Sequence, residues 1–284
     1  MTTSQRFFSV VIVMTLSGIL ASANIAHANL TVSENLASFG TFSQINSGVT
    51  YTNYLNVGPN ACVPTSVANS LIYLNNTYSV LNLLQTGYNT VNTLAQDMGT
   101  FQGSGTNDPN GTSWENWQSG LSTYLTNQGV SSRVSITSAV TTPNPLQLYN
   151  WLTLGEAVGI AINWDAGGGH ALSLYSIDIS TNNLGDPIGG TLGFVDPWGE
   201  PAGASATAVT ISAATFIVTN NSLYVSGGYL GGAGGSTNDP DNPGTSGTGS
   251  IGYGLAISVV PEPASCLLLG VGVLAVLISL RRRI

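Results

Sequence analysis

Two apolar segments, one at each end, limit the part of this chain that can fold as a globular domain. Residues 7–20 form an apolar run behind Arg6, and the small residues at 26–28 are typical of a signal-peptidase site. Residues 264–280 are seventeen positions without a charge, and three arginines follow them directly. Such a run can span a bilayer with the arginines on the cytoplasmic side. About 230 residues remain between the two ends, which is enough for one domain with a full core.

Composition divides the chain into a signal peptide, a folded domain, a polar linker, a possible last strand and a tail. These parts cover residues 1–28, 29–226, 227–250, 251–260 and 261–284, respectively. The linker is rich in Gly, Ser, Thr, Asn and Asp, a mixture that predicts a flexible loop. The last strand is predicted because apolar side chains alternate along it before the tail begins.

The tail begins with a motif that resembles a known sorting signal. Pro261, Glu262 and Pro263 stand just before the apolar run, and arginines follow that run. The order and spacing are similar to the PEP-CTERM sorting signal of Gram-negative bacteria. That resemblance implies that an exosortase processes the tail and that residues 264–280 hold the chain in the inner membrane beforehand. The expected destination is the cell surface or the extracellular matrix, and a permanent tail anchor is the alternative.

The body between the two ends is acidic and carries very few charges. The chain has a net charge of −8 and five basic residues, four of which are arginines in the end segments. Arg133 is therefore the only basic residue of the body. Nucleic acid and anionic membrane surfaces need clustered cations, so neither is expected as a partner of the body.

Hydrophobic spacing predicts helices in the first half of the body and strands in the second. Helices are expected from Pro64, at residues 91–98, from the capping pattern of Thr112 and Glu115 to Gly129, and from Asn144 to Gly155. Strands are expected at residues 158–164, 170–178, 192–195, 216–218, 223–225 and 255–259. This order predicts an α+β fold, with an N-terminal helical part followed by an antiparallel sheet.

One cysteine and one histidine of the body suggest nucleophilic catalysis. Cys266 lies in the tail, so Cys62 has no disulfide partner in the body, which is unusual for an exported chain. Pro64 favours a first helical turn, and a helix N-terminus and a nearby imidazolium both stabilise a thiolate. His170 can supply the imidazole, and Asp196, at the end of the next predicted strand, can orient it.

Four short segments resemble a papain-like cysteine peptidase domain of the bacteriocin-processing-peptidase-like branch. They are residues 62–66, 111–113, 168–170 and 195–198, within a region of about 54–199. The resemblance implies a papain-like fold, with Cys62 as nucleophile, His170 as general base and later acid, and Asp196 as the orienting residue. It also implies that Asn56 stands where the family usually has the glutamine of the oxyanion hole. Val63 replaces the glycine that commonly follows the nucleophile.

The sequence thus predicts an exported, surface-directed cysteine peptidase that hydrolyses bonds in a peptide or protein substrate. No cofactor or metal is expected. Amidases and acyl transferases use the same catalytic group, so the reaction class stays open at this point. The departures at Asn56 and Val63 leave a second interpretation: a weak or inactive module that serves as a surface or matrix binding or structural protein.

Overall fold

The computed structural model describes residues 29–43, 61–78, 83–85, 89–100, 111–165, 169–197, 210–227 and 248–260. The helices within these residues are α1 (Cys62–Tyr78), α2 (Asn89–Asp97), α3 (Trp114–Asn127) and α4 (Pro145–Thr153), with a 3-10 turn at Leu36–Ser38. The strands are β1 (Leu30–Ser33), β2 (Val134–Thr141), β3 (Ala157–Trp164), β4 (Gly169–Thr181), β5 (Pro187–Asp196), β6 (Thr210–Thr219), β7 (Ser222–Gly227) and β8 (Gly249–Val259).

Six of these strands form a closed barrel. Starting from β3, the ring runs through β8, β7, β6, β5 and β4, and β4 pairs again with β3. Every strand pairing among the described residues is antiparallel. The long strands β4 and β8 also pair with β1 and β2, respectively, outside the ring. Closure pairs both edges of each ring strand, which leaves little exposed edge.

The described residues form two apolar clusters, one inside the barrel and one beneath the helices. The interior cluster takes side chains from all six ring strands, among them Ile160, Leu172, Phe194, Phe216, Val225 and Ile251. The second cluster joins α1, α2 and α3 to the outer face of the barrel. Trp117 of α3 lies directly on β3, because a Cβ added at Gly159 would come within 2.7 Å of its ring.

Local signals explain where several elements begin and end. Asn144 caps α4 and exchanges hydrogen bonds with Gln147 in a capping box, and Gly155 ends that helix with a left-handed φ of 72°. The predicted start of α3 needs a small correction. Its cap is Ser113, whose hydroxyl accepts from the Asn116 N–H at 3.2 Å, and not Thr112.

The predicted papain-like α+β fold, with an N-terminal helical part followed by an antiparallel sheet, is wrong. The described chain is mostly antiparallel sheet closed into a six-stranded barrel, with few helices. Strand β1 precedes the first helix, and β2 lies between α3 and α4, so helices and strands are not segregated along the chain. The alternation within single strands predicted those strands, but it carries no information about closure between β4 and β5.

A buried group of serines fixes α1 against β4. Ser66 and Ser70 are four residues apart on α1 and therefore share one face of the helix. Their hydroxyls lie 3.0 and 3.1 Å from the Ser173 hydroxyl, and Ser173 donates to the Ser66 carbonyl at 2.8 Å. All three side chains are buried, so their hydrogen bonds hold the helix in one register along the strand. Cys62 lies one turn before Ser66 on the same face.

We predict that Ser173→Ala destabilises the protein by about 1–3 kcal/mol, because the substitution leaves the Ser66 and Ser70 hydroxyls buried without their partner. Urea unfolding monitored by circular dichroism measures the change. Ser180→Ala, at a partly exposed position of the same strand, is the control and should change the free energy of unfolding by less than about 0.5 kcal/mol. Equal stabilities of the two variants would contradict the prediction.

Candidate active site

Cys62 occupies the first position of α1. The Thr65 N–H donates to the Ala61 carbonyl at 3.0 Å, so Ala61 starts the hydrogen-bonded turns of the helix. The N–H groups of Cys62 and Val63 belong to the first turn, where an α-helix offers them no internal acceptor. Pro64 has no N–H to satisfy at this position. The Cys62 thiol is free and partly exposed, and it lies at the positive end of the helix dipole.

His170 and Asp196 meet at one end of the barrel. His170 is the second residue of β4 and Asp196 is the last residue of β5, and the two strands are antiparallel neighbours. The start of β4 therefore lies beside the end of β5. The His170 Nε2 and the Asp196 Oδ1 are 2.7 Å apart, and the side chains are 6% and 0% exposed. Water is excluded from this contact, which strengthens it.

The thiol lies near the same imidazole. Cys62 is close enough to His170 to contribute, after Asp196, to the raised pKa of the ring. Because Asp196 occupies Nε2, the nitrogen left for the thiol is Nδ1. One imidazole thus connects the sulfur at the helix N-terminus with a buried carboxylate, and the carboxylate fixes the orientation of the ring.

The surroundings favour the charged form of His170. Burial by itself lowers the pKa of the imidazole, but the charge of Asp196 and its hydrogen bond raise it, and the contacts with Cys62 raise it further. The net effect is a pKa above the ordinary value of 6.5. The resting imidazole is therefore an imidazolium at neutral pH, which is the charge that stabilises a thiolate beside it.

The structure brings together three of the predicted site residues: Cys62, His170 and Asp196. Asn56, predicted in the oxyanion hole, lies outside the described residues, as do Pro261, Glu262 and Pro263 of the sorting motif. The serines that set the position of α1 were not predicted. Their signal was present in the sequence, because Ser66 and Ser70 follow Cys62 at intervals of four residues, the spacing of one helix face.

Comparison with known families identifies the tail. Residues 259–283 match the PEP-CTERM protein-sorting motif, which confirms the predicted sorting signal. The protein is therefore exported, is processed by an exosortase, and is held at the membrane before that step. Of the described strands the match includes only Val259, the last residue of β8, and no curated protein sequence matches the chain. In the part of the chain that the structure describes, no helix is both long and apolar enough to cross a bilayer.

We predict that Asp196→Asn lowers the pKa of His170, because the substitution removes the negative charge and leaves the burial that opposes protonation. A folded-state pKa above 6.5 means that this imidazolium stabilises the fold fully below pH 6.5 and loses its contribution as pH rises through the folded value. Asp196→Asn should therefore destabilise the protein most at and below pH 6.5, the acid side of the range between pH 6.5 and the folded-state pKa.

Imidazole NMR between pH 5 and pH 10 measures this titration, with His170→Gln used to assign the signal. Asp178→Asn is the matched control. It removes a carboxylate of β4, the strand of His170, that accepts a hydrogen bond from Thr31, and it should leave the pKa of His170 unchanged. The prediction fails if both variants titrate at the wild-type pH.

Proposed function

We propose that this exported protein is a cysteine peptidase that hydrolyses peptide bonds of a peptide or protein substrate at the cell surface. One observation carries the proposal: Cys62 stands at a helix N-terminus near the imidazole of His170, and that imidazole is hydrogen-bonded to the buried carboxylate of Asp196. These are the groups that supply an activated nucleophile, a proton carrier and an orienting residue.

The first half of the proposed reaction makes a thioester. The Cys62 thiolate attacks the carbonyl carbon, a C–S bond forms, and the carbonyl oxygen becomes an oxyanion. The imidazolium of His170 then gives the proton on Nδ1 to the leaving nitrogen, the C–N bond breaks, and the amine departs. Asp196 keeps its hydrogen bond to Nε2 throughout and holds the ring in position.

The second half releases the acid. The neutral Nδ1 of His170 takes a proton from water as the water oxygen attacks the thioester carbon. The C–S bond breaks, and the thiolate and the imidazolium are restored. The balance is one peptide bond and one water consumed for one acid and one amine. No redox partner is needed.

Oxyanion stabilisation in this scheme comes first from the start of α1. The N–H groups of Cys62 and Val63 lie in its first turn, so they can donate to an oxygen that develops negative charge beside the sulfur. Asn56 is the proposed side-chain donor, on the sequence resemblance alone. Its side chain is one methylene shorter than the glutamine usual at this place.

The proposed destination is the surface or extracellular matrix of a Gram-negative bacterium. The sorting motif supports this, because residues 264–280 and the arginines behind them can hold the chain in the inner membrane until an exosortase acts. The peptidase would then work outside the cell.

A second candidate function is that of an inactive module that binds or builds extracellular material. The near-complete burial of His170 favours it, since a substrate nitrogen must approach Nδ1 to collect its proton. Partial exposure of Cys62 favours the enzyme. The reactivity of the thiol decides between these two candidates.

We predict that iodoacetamide labels Cys62 at pH 6 at least about tenfold faster than an ordinary thiol, whose pKa is about 8.5, because the helix and the imidazolium stabilise the thiolate. Peptide mapping by mass spectrometry separates Cys62 from Cys266. His170→Ala should slow the labelling to the ordinary rate, and Asp196→Asn should give an intermediate rate.

The same variants test turnover on a pool of fluorogenic peptides. Cys62→Ala should lower turnover by at least about 10³-fold, while Cys266→Ala, the matched cysteine control, should leave it unchanged. Ordinary labelling of Cys62 without turnover would support the inactive module. Turnover by Cys62→Ala would exclude the proposed nucleophile.

We predict that protein recovered from the cell surface lacks the apolar run and the terminal arginines, because these hold the chain in the membrane until they are cut away. Replacing residues 261–263 with alanines should keep the tail attached, while the same replacement at residues 242–244 of the linker serves as the control. Intact-mass spectrometry of the surface fraction reads the result. A surface protein that still contains residues 281–283 would show that the tail is a permanent anchor.

A further inference from the structure

A cavity lies on the outer face of the sheet, at the side of α3. Its volume is about 570 Å³. Aromatic and aliphatic side chains supply part of its wall, and polar side chains supply the rest. Its lining includes Trp114, Glu115, Gln118, Val140, Thr141 and Tyr253. None of them belongs to the Cys62 site.

Strand register places this cavity close to the proposed active site. Ala171, the residue after His170, is aligned with Ala161 of β3, which is aligned with Tyr253 of β8, which in turn is aligned with Thr141 of β2. Adjacent strands are about 4.8 Å apart, so the Tyr253 backbone is about 10 Å from that of Ala171. An extended peptide covers this distance with about three residues, at about 3.3 Å each.

Two aromatic rings form one wall of the cavity. Trp114 and Tyr253 are stacked, with ring centroids 5.4 Å apart and planes 7° from parallel. Tyr253 is buried and Trp114 is partly exposed, so the tyrosine supports the indole from behind. The face of an indole ring is electron-rich and attracts cations, and the neighbouring Val140 can cover an aliphatic stem.

The cavity also carries a negative charge. Glu115 is exposed at its rim, and its charge contributes, after burial, to the raised pKa of Tyr253. Arg133, the one basic residue in the described part of the chain, precedes β2, whereas Thr141 is at the opposite end of that strand. Ala139, the lining residue of β2 nearest to the arginine, is six positions along the chain from it, about 20 Å at 3.3 Å each, so the arginine does not compensate the carboxylate.

We propose that this cavity binds a lysine or arginine side chain of the substrate, about three residues from the bond that is cleaved. The aromatic and aliphatic wall fits the methylene stem, and Glu115 with the indole face fits the charged group. The inference rests on the proposed function, because it is the peptidase that gives the cavity a substrate. A neutral sugar can also stack on an indole and is the competing occupant. It has no positive charge to pair with Glu115.

A binding experiment on the full chain with Cys62→Ala tests the cavity without catalysis. The probes are acetyl-Gly-Arg-Gly-amide and the same peptide with citrulline, which has nearly the shape of arginine but no charge. Tryptophan fluorescence and calorimetry should show that the arginine peptide binds about three- to thirtyfold more tightly, the range for one exposed cation–π contact plus one exposed ion pair. High salt should reduce this preference.

Glu115→Gln should reduce the preference for arginine by about two- to fivefold, and Glu115→Lys should abolish it. Asp178→Asn, the same loss of charge at a residue of β4 that does not line the cavity, is the matched control. Equal binding of the two peptides by the Cys62→Ala chain would overturn the proposal, as would tighter binding of maltotriose than of the arginine peptide.

The outcomes separate the cavity from the enzyme. If the arginine peptide binds in a Glu115-dependent way but the wild-type protein cleaves no peptide, the proposed binding cavity stands and the proposed peptidase function fails. If wild type and Glu115→Gln both cleave peptides without a preference for a basic residue, the proposed peptidase function stands. The proposal that the cavity is its specificity site then fails.

Discussion

The arrangement of the site depends on one buried contact, the 2.7 Å hydrogen bond between His170 and Asp196. A carboxylate with 0% exposure is costly to bury, and a charged imidazole beside it offsets that cost only when the geometry is good. Barrel closure supplies the geometry. Antiparallel pairing of β4 with β5 brings the start of one strand to the end of the other, so the two side chains meet without a flexible loop between them. The same hydrogen bond uses the Nε2 atom of His170, so Nδ1 is the ring nitrogen that is left for Cys62.

The position of the sulfur is set by a different group of contacts. α1 packs on the outer face of the barrel, and the apolar cluster beneath it is non-directional, so apolar packing alone would tolerate a small slide along β4. Hydrogen bonds from Ser66 and Ser70 to Ser173 are directional and buried, so they select one register. Cys62 is one helical turn from Ser66, and His170 is three residues from Ser173 on the strand. The barrel therefore positions His170 and Asp196, and the serines position Cys62.

The sequence predicted the elements of this protein better than their assembly. Period-3.6 and period-2 patterns located α1 to α4 and most strands, because amphipathic faces are a local property. Closure of the barrel depends on the pairing of β4 with both β3 and β5, which no local pattern encodes. Strand β2 was not predicted because residues 134–141 are only partly buried for most of its length. The contact of His170 with Asp196 could be predicted because each residue is chemically distinctive where it stands, and the role of Cys62 beside them stays a prediction. The cavity beside α3 could not, since Trp114 and Tyr253 are far apart in the chain and meet only through the alignment of β8 with β3.

Export and the site are connected through the chain's other cysteine. An unpaired, partly exposed thiol in an oxidising compartment is open to disulfide exchange with any accessible partner. Cys266 is the only other cysteine in the sequence, and it lies in the apolar run behind the Pro261–Pro263 motif. In the proposed processing, cleavage near the motif removes Cys266 from the mature chain. The sorting step then does more than release the protein, because it leaves Cys62 without a second cysteine in the same chain, as the proposed peptidase mechanism requires.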